Sequence, residues 1–173
     1  MRPEFIQSQN PQGRLFFKSF LLYKMMKKSK YNKEDLLDHH GVSAIIKNDE
    51  GKILMQEHSK FGFWTIPVGK VNLNKDLING LKGEIFEETN LIVKDCKELI
   101  YKIYNYKRNG KNVKVFTHVF EITKYSGELK NKEPEKHKKQ EFLNIKEIKQ
   151  LPYLSDSTLM FLEFLGIKRK AKL

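Results

Sequence analysis

Three glutamates, Glu84, Glu87 and Glu88, stand at i, i+3, i+4 in a chain of 173 residues. On a helix that spacing puts all three on one side, within a turn of one another. Like charges so placed repel by roughly 0.2–0.5 kcal/mol per pair. The positions three or four residues away hold Gly80, Leu81, Gly83, Ile85, Asn90, Leu91 and Ile92, and none is a cation. In a chain with 33 Lys+Arg, such a trio asks for a partner from outside the helix. A hard divalent cation suits it, because Mg²⁺ and Mn²⁺ prefer carboxylate oxygens. An ordinary solvated acidic face is the competing reading of the same spacing.

The element that must position these carboxylates lies within Gly69 to Leu91. Asn74 is the expected N-cap, with Asp76 in the first turn at the positive end of the helix dipole. Leu77, Ile78, Leu81 and Ile85 make the expected buried stripe. At about 100° per residue the glutamates fall along one flank of that stripe, in a groove beside the core. Asn90 can take the left-handed conformation that ends a helix. Gly80 and Gly83 each cost roughly 1 kcal/mol against alanine. Both project toward the carboxylate side, where they leave room for something bulky.

With these residues in place the stretch resembles the Nudix box, Gly-x5-Glu-x7-Arg-Glu-U-x-Glu-Glu-x-Gly-U, with U aliphatic. Gly69, Glu84, Ile85, Glu87, Glu88 and Leu91 match in register, and Trp64-Thr65-Ile66-Pro67-Val68-Gly69-Lys70-Val71 resembles the strand leading into the box. Lys75 stands where the first glutamate is expected, Gly83 where the arginine is, and Asn90 where the second glycine is. The resemblance implies an α/β fold, an α/β/α sandwich with a mixed β-sheet. It implies Mg²⁺-dependent (or Mn²⁺-dependent) hydrolysis of a nucleoside diphosphate linked to a further group, a nucleoside triphosphate or related nucleotide foremost. Metal ligation is then expected at Glu84, Glu87 and Glu88 with the Gly69 carbonyl, and catalysis at Glu87, Glu88 and Glu133. Lys70, Phe63 and Tyr104 are the substrate-binding candidates. Two alternatives stay open: an enzyme acting on RNA 5′ ends, and a nucleotide or RNA binder whose chemistry is impaired at Lys75 and Gly83.

Composition narrows the setting. The length fits one domain with a substantial core, drawn here as residues 41–167 between an extension, 1–40, and a basic tail, 168–173. Within the extension, Leu15–Met26 is apolar but broken by Lys18 and Lys24. No apolar run approaches the roughly 18–20 residues of a membrane span. The single cysteine, Cys96, excludes an internal disulfide and fits a reducing compartment, so a cytoplasmic setting is expected. The net charge of +12 favours polyanions, that is nucleotides, RNA or acidic lipid heads. The apolar segment of the extension is expected to pack on the core or on a second copy in a homodimer.

Elsewhere the pattern is of strands and turns. Val42–Ile46 and Ile53–Gln56 flank a turn ending at Gly51. Phe61, Phe63 and Trp64 are expected core anchors, with one of them bordering the substrate as the competing reading. Asn109-Gly110 predicts a hairpin between Leu99–Arg108 and Lys111–Ile122. His118, within an apolar strand, reads as a satisfied core histidine. Residues 127–141 read as a long polar loop, the kind of segment that is functional or unstructured. The resemblance to the Nudix family implies that such a loop delivers a further carboxylate to the metal, with Glu133 and Glu135 as the candidates. A strand at Glu141–Ile145 and a helix Asp156–Leu165, capped by Ser155 and packing Leu159, Phe161, Leu162 and Leu165, complete the chain.

Overall fold

The computed structural model describes residue 31 and residues 33–168. The chain divides into two compact units, one of residues 38–106 with 114–173 and one of residues 1–37 with 107–113. The apolar segment Leu15–Met26 lies outside the described residues. In the smaller unit a 3-10 turn spans Glu34–Leu36. The Arg108 guanidinium donates to the Asp35 carbonyl at 2.9 Å and lies 5.3 Å from the centre of the Tyr31 ring.

Among the described residues seven strands and three helices follow in order: β1 His39–Ile46, β2 Ile53–His58, β3 Trp64–Thr65, β4 Val68–Asn72, α1 Leu77–Thr89, β5 Ile92–Arg108, β6 Lys111–Ser126, β7 His137–Leu143, α2 Ile145–Gln150 and α3 Asp156–Phe164. One sheet has the order β4-β1-β6-β5, with β1 parallel to β6 and antiparallel to β4. The other, β3-β2-β7, is antiparallel. The hairpin turn falls at Asn109 and Gly110, both at positive φ, as a two-residue turn between right-twisted strands requires.

Strand alternation sorts the core onto two faces. Val42, Ala44 and Ile46 of β1 pack with Leu81 and Ile85 of α1, while Ile45 packs with Met160, Phe161 and Leu162 of α3. Leu54 and Met55 of β2 divide the same way, as do Phe120 and Val119 of β6. Helices thus cover both faces of the strands. This is the α/β/α sandwich with a mixed sheet.

Three packing expectations are corrected. Of the aromatic run only Trp64 is a core anchor, because Phe61 is 47% exposed and Phe63 half-buried. Leu159 and Leu165 are 39% and 45% exposed; Met160 and Thr158 turn inward instead. The last strand starts at His137, four residues early, because its pairing with β2 runs to His58. His118 is buried as expected, with Nδ1 2.6 Å from Glu98 Oε1 and Nε2 3.0 Å from His40 Nδ1.

Candidate active site

The helix carrying the glutamates begins two residues later than Asn74 suggests. Asp76 is the N-cap, accepting from the Asn79 N–H at 2.7 Å; the Lys75 N–H to Asn72 carbonyl bond makes a turn ahead of it. Asn90 ends the helix at φ 64°. Leu81 and Ile85 are buried, but Ile78 is 36% exposed, so the apolar stripe is narrower than drawn. The glutamates do not share one groove. Glu88 is 1% exposed, Glu84 half-buried and Glu87 solvent-facing. Glu88 lies only about 40° round from Glu84, whereas Glu87 lies about 60° to the other side.

Glu84 lies across Gly69 of β4. A Cβ at Gly69 would come within 2.3 Å of Glu84 Cγ, so only glycine lets the strand pass there. Gly80 has a different use. A Cβ there would meet the Val71 methyls at 2.5 and 2.7 Å, so its missing side chain admits a strand, not a ligand. Gly83 does face open space, with nothing within 4 Å of the added atom.

The long loop completes the site. The Lys130 and Lys132 N–H groups bond to the carbonyls of Thr89 and Glu88, and Gln140 Nε2 donates to the Glu88 carbonyl. These bonds tie the loop to the end of α1, where helix carbonyls lack partners. Residues 133–137 form a turn in which the Lys136 and His137 N–H groups bond to the Glu133 carbonyl. Lys136 Nζ is thereby set 2.5 Å from Glu88 Oε1 and 3.1 Å from Glu133 Oε2. Gln56 Nε2 donates to Glu88 Oε2 at 3.0 Å. His137 is fully buried, its Nε2 4.0 Å from Glu88 Oε1. Glu135 is exposed.

Burial sets the electrostatics. It pushes Glu84 up to about 7, assisted by the Glu88 charge and opposed by Lys136. Burial also raises Glu88, against the pull of Lys136 and the Gln56 hydrogen bond. Burial opposes the charge on Lys136, but Glu88 and Glu133 outweigh it and push this amine up to about 12. His137 is held down to about 4 by burial, then by Lys136 and His58. It is therefore a neutral imidazole, the form that ligates metal.

Ligand atoms of Glu88, Glu133 and His137 lie within 4.8 Å of one another. Both ring nitrogens of His137, and the Oε1 atoms of Gln56 and Gln140, are buried without a hydrogen-bond partner. Two carboxylates and a buried imidazole with unpartnered nitrogens, brought this close together, fit a divalent cation.

The substrate-binding candidates lie on different sides. Phe63 stacks on Phe61 at 5.6 Å between centroids, and both pack against His58, whose ring is 5.8 Å from that of His137. Lys70 lines a cleft of about 370 Å³ with Lys75, Asn79 and Glu84. Tyr104 is not brought to this cluster. It lines a separate cavity of about 650 Å³ with Asp156, Met160 and Ile167.

Sequence reasoning missed Lys136, His137 and Gln56. A signal for His137 was present, since Glu133 and His137 are four residues apart, a spacing that one turn brings together. Lys136 stands three residues from Glu133 and so carried the same local signal, but its contact with Glu88 across 48 residues had none, and neither did that of Gln56 across 32.

A family model described as NUDIX domain matches residues 37–162. Among solved structures, a MutT NUDIX hydrolase from Burkholderia pseudomallei is similar at 24% identity and a TM-score of 0.61, over 74% of this chain and 98% of that one. The E. coli ORF135 protein is similar at 22% identity and TM-score 0.58, over 82% and 98%. An Ap4A hydrolase from C. elegans is similar at 18% identity and TM-score 0.52, over 74% and 98%. At these identities the likeness is one of fold. No curated protein compared with the sequence matches it.

Proposed function

The chain belongs to the Nudix family, and from that membership we propose that it is a divalent-cation-dependent pyrophosphohydrolase. Its substrate is a nucleoside diphosphate linked to a further group, a nucleoside triphosphate or related nucleotide foremost. The observation carrying this reading is the convergence of Glu84 and Glu88 from α1 with Glu133 and His137 from the loop. A fold kept only for binding has no need to bury a carboxylate beside an unpartnered imidazole.

Glu84, Glu88, Glu133 and His137, with Glu87 at the solvent edge and the Gly69 carbonyl, are assigned to hold the cation. When bound, such an ion neutralises phosphate charge and activates water. The remaining work falls to the chain. Gln56 fixes the Glu88 carboxylate from behind. Glu133 and Glu87, the less buried carboxylates, are assigned to accept the proton of an attacking water. Lys70 and Lys75, in the cleft beside Glu84, are assigned to the substrate's phosphates. The Phe61–Phe63 stack next to His58 supplies a face for a nucleobase.

The test is product analysis with Mg²⁺, then Mn²⁺, on nucleoside triphosphates, ADP-ribose, a dinucleotide polyphosphate and 5′-triphosphorylated RNA. Cleavage of a free nucleotide between phosphates is expected. Cleavage of RNA alone moves the assignment to 5′ ends, and no cleavage of any member removes the enzymatic reading.

A further inference from the structure

We propose that Lys136 is an exchangeable counter-cation: its ammonium bridges Glu88 and Glu133 in the metal-free protein and leaves when a divalent cation takes those carboxylates. The inference rests on the reading of this cluster as a cation site.

A carboxylate as buried as Glu88 needs a cation or a proton beside it. No Lys or Arg of helix α1 stands three or four residues from Glu88, and the loop supplies the cation, with Lys136 Nζ 2.5 Å from Glu88 Oε1 and 3.1 Å from Glu133 Oε2. A divalent ion held by Glu88, Glu133 and His137 draws on the same two carboxylates. Two cations on shared oxygens repel strongly where water is scarce, so occupancy alternates. The two sides of the pair differ in freedom. Glu88 is held at its other oxygen by Gln56 and is 1% exposed. The Lys136 side chain is 38% exposed on a flexible stem, and it can turn to water without unfolding anything. The buried His137 nitrogens point the same way. The ammonium pairs with neither of them, so the cluster keeps an unused ligand for the divalent ion that replaces it.

The experiment uses nucleotide-free full-length protein and Mn²⁺ binding followed by electron paramagnetic resonance. Lys136→Met and Lys136→Gln are each expected to bind Mn²⁺ about 5- to 150-fold more tightly, the usual span of coupling between two ligands. In the wild type, acylation of the Lys136 amine, read by mass spectrometry, is expected to speed up when Mg²⁺ is added. Equal or weaker Mn²⁺ binding by a folded variant overturns the exchange and makes Lys136 a companion of the metal. If neither variant folds, wild-type acylation decides, and a rate indifferent to Mg²⁺ overturns the proposal. Wild-type protein that binds no Mn²⁺ overturns the cation-site reading and this inference with it.

Discussion

Glu88 and Glu84 differ by one helical turn and face different demands. Glu88 is fixed by two hydrogen-bond donors in a buried position. Glu88→Gln keeps the shape and loses the charge, so turnover should fall by about 10²–10⁴-fold while the far-ultraviolet circular dichroism stays unchanged. Undiminished turnover would remove Glu88 from the site. Glu84 gives a pH dependence. Its folded value of about 7 lies above the ordinary carboxyl value of 4.5, so the folded state holds the proton more tightly. Its contribution to stability is full below pH 4.5 and lost as pH rises through 7. Melts in chelator should therefore show Glu84→Gln gaining on the wild type between pH 4.5 and about pH 7, the span of those two values, with Mg²⁺ narrowing the gap. A gap independent of pH would contradict the assignment.

At the scale of the element, the two glycines of α1 separate cleanly. Alanine in place of glycine within a helix gains about 1 kcal/mol from backbone entropy, whereas overpacking typically costs 1–3 kcal/mol. Gly83→Ala meets nothing, so the gain stands and its melting temperature should rise. Gly80→Ala drives into Val71, so the cost wins and stability should fall. Denaturant midpoints of the two variants would show opposite signs; a matching sign would mean that Val71 yields. Gly69→Ala belongs with the strand that approaches the helix. It displaces Glu84 and should cost activity more than it costs folding, read as kcat/KM against the unfolding midpoint.

At the scale of the whole molecule, the net charge of +12 raises the local concentration of anions around an acidic centre. A free nucleotide touches few of these charges. Its kcat/KM should fall only shallowly with added salt, whereas a rate on RNA governed by many phosphate contacts falls steeply. Rates on both substrates across a salt series distinguish the two.

Much of this protein is local and therefore legible in the chain itself. Helix α1, its left-handed end at Asn90, the turn at Asn109-Gly110 and the cap at Ser155 depend on neighbours within a few residues. The carboxylates at 84, 87 and 88 could be singled out because spacing on a helix is a property of sequence. Their unequal burial could not, since it depends on which side of α1 meets β1, β4 and the loop. The same holds for the Glu88–Gln56–Lys136 contacts, made across 32 and 48 residues. Gly80 was misread for the same reason: a missing side chain says that something comes close, and only the fold says that it is Val71. Sequence alone determined which carboxylates stand within a turn of one another on α1. Tertiary structure decided which of them lose their water and find a partner, because desolvation and long-range pairing exist only once distant segments are packed together.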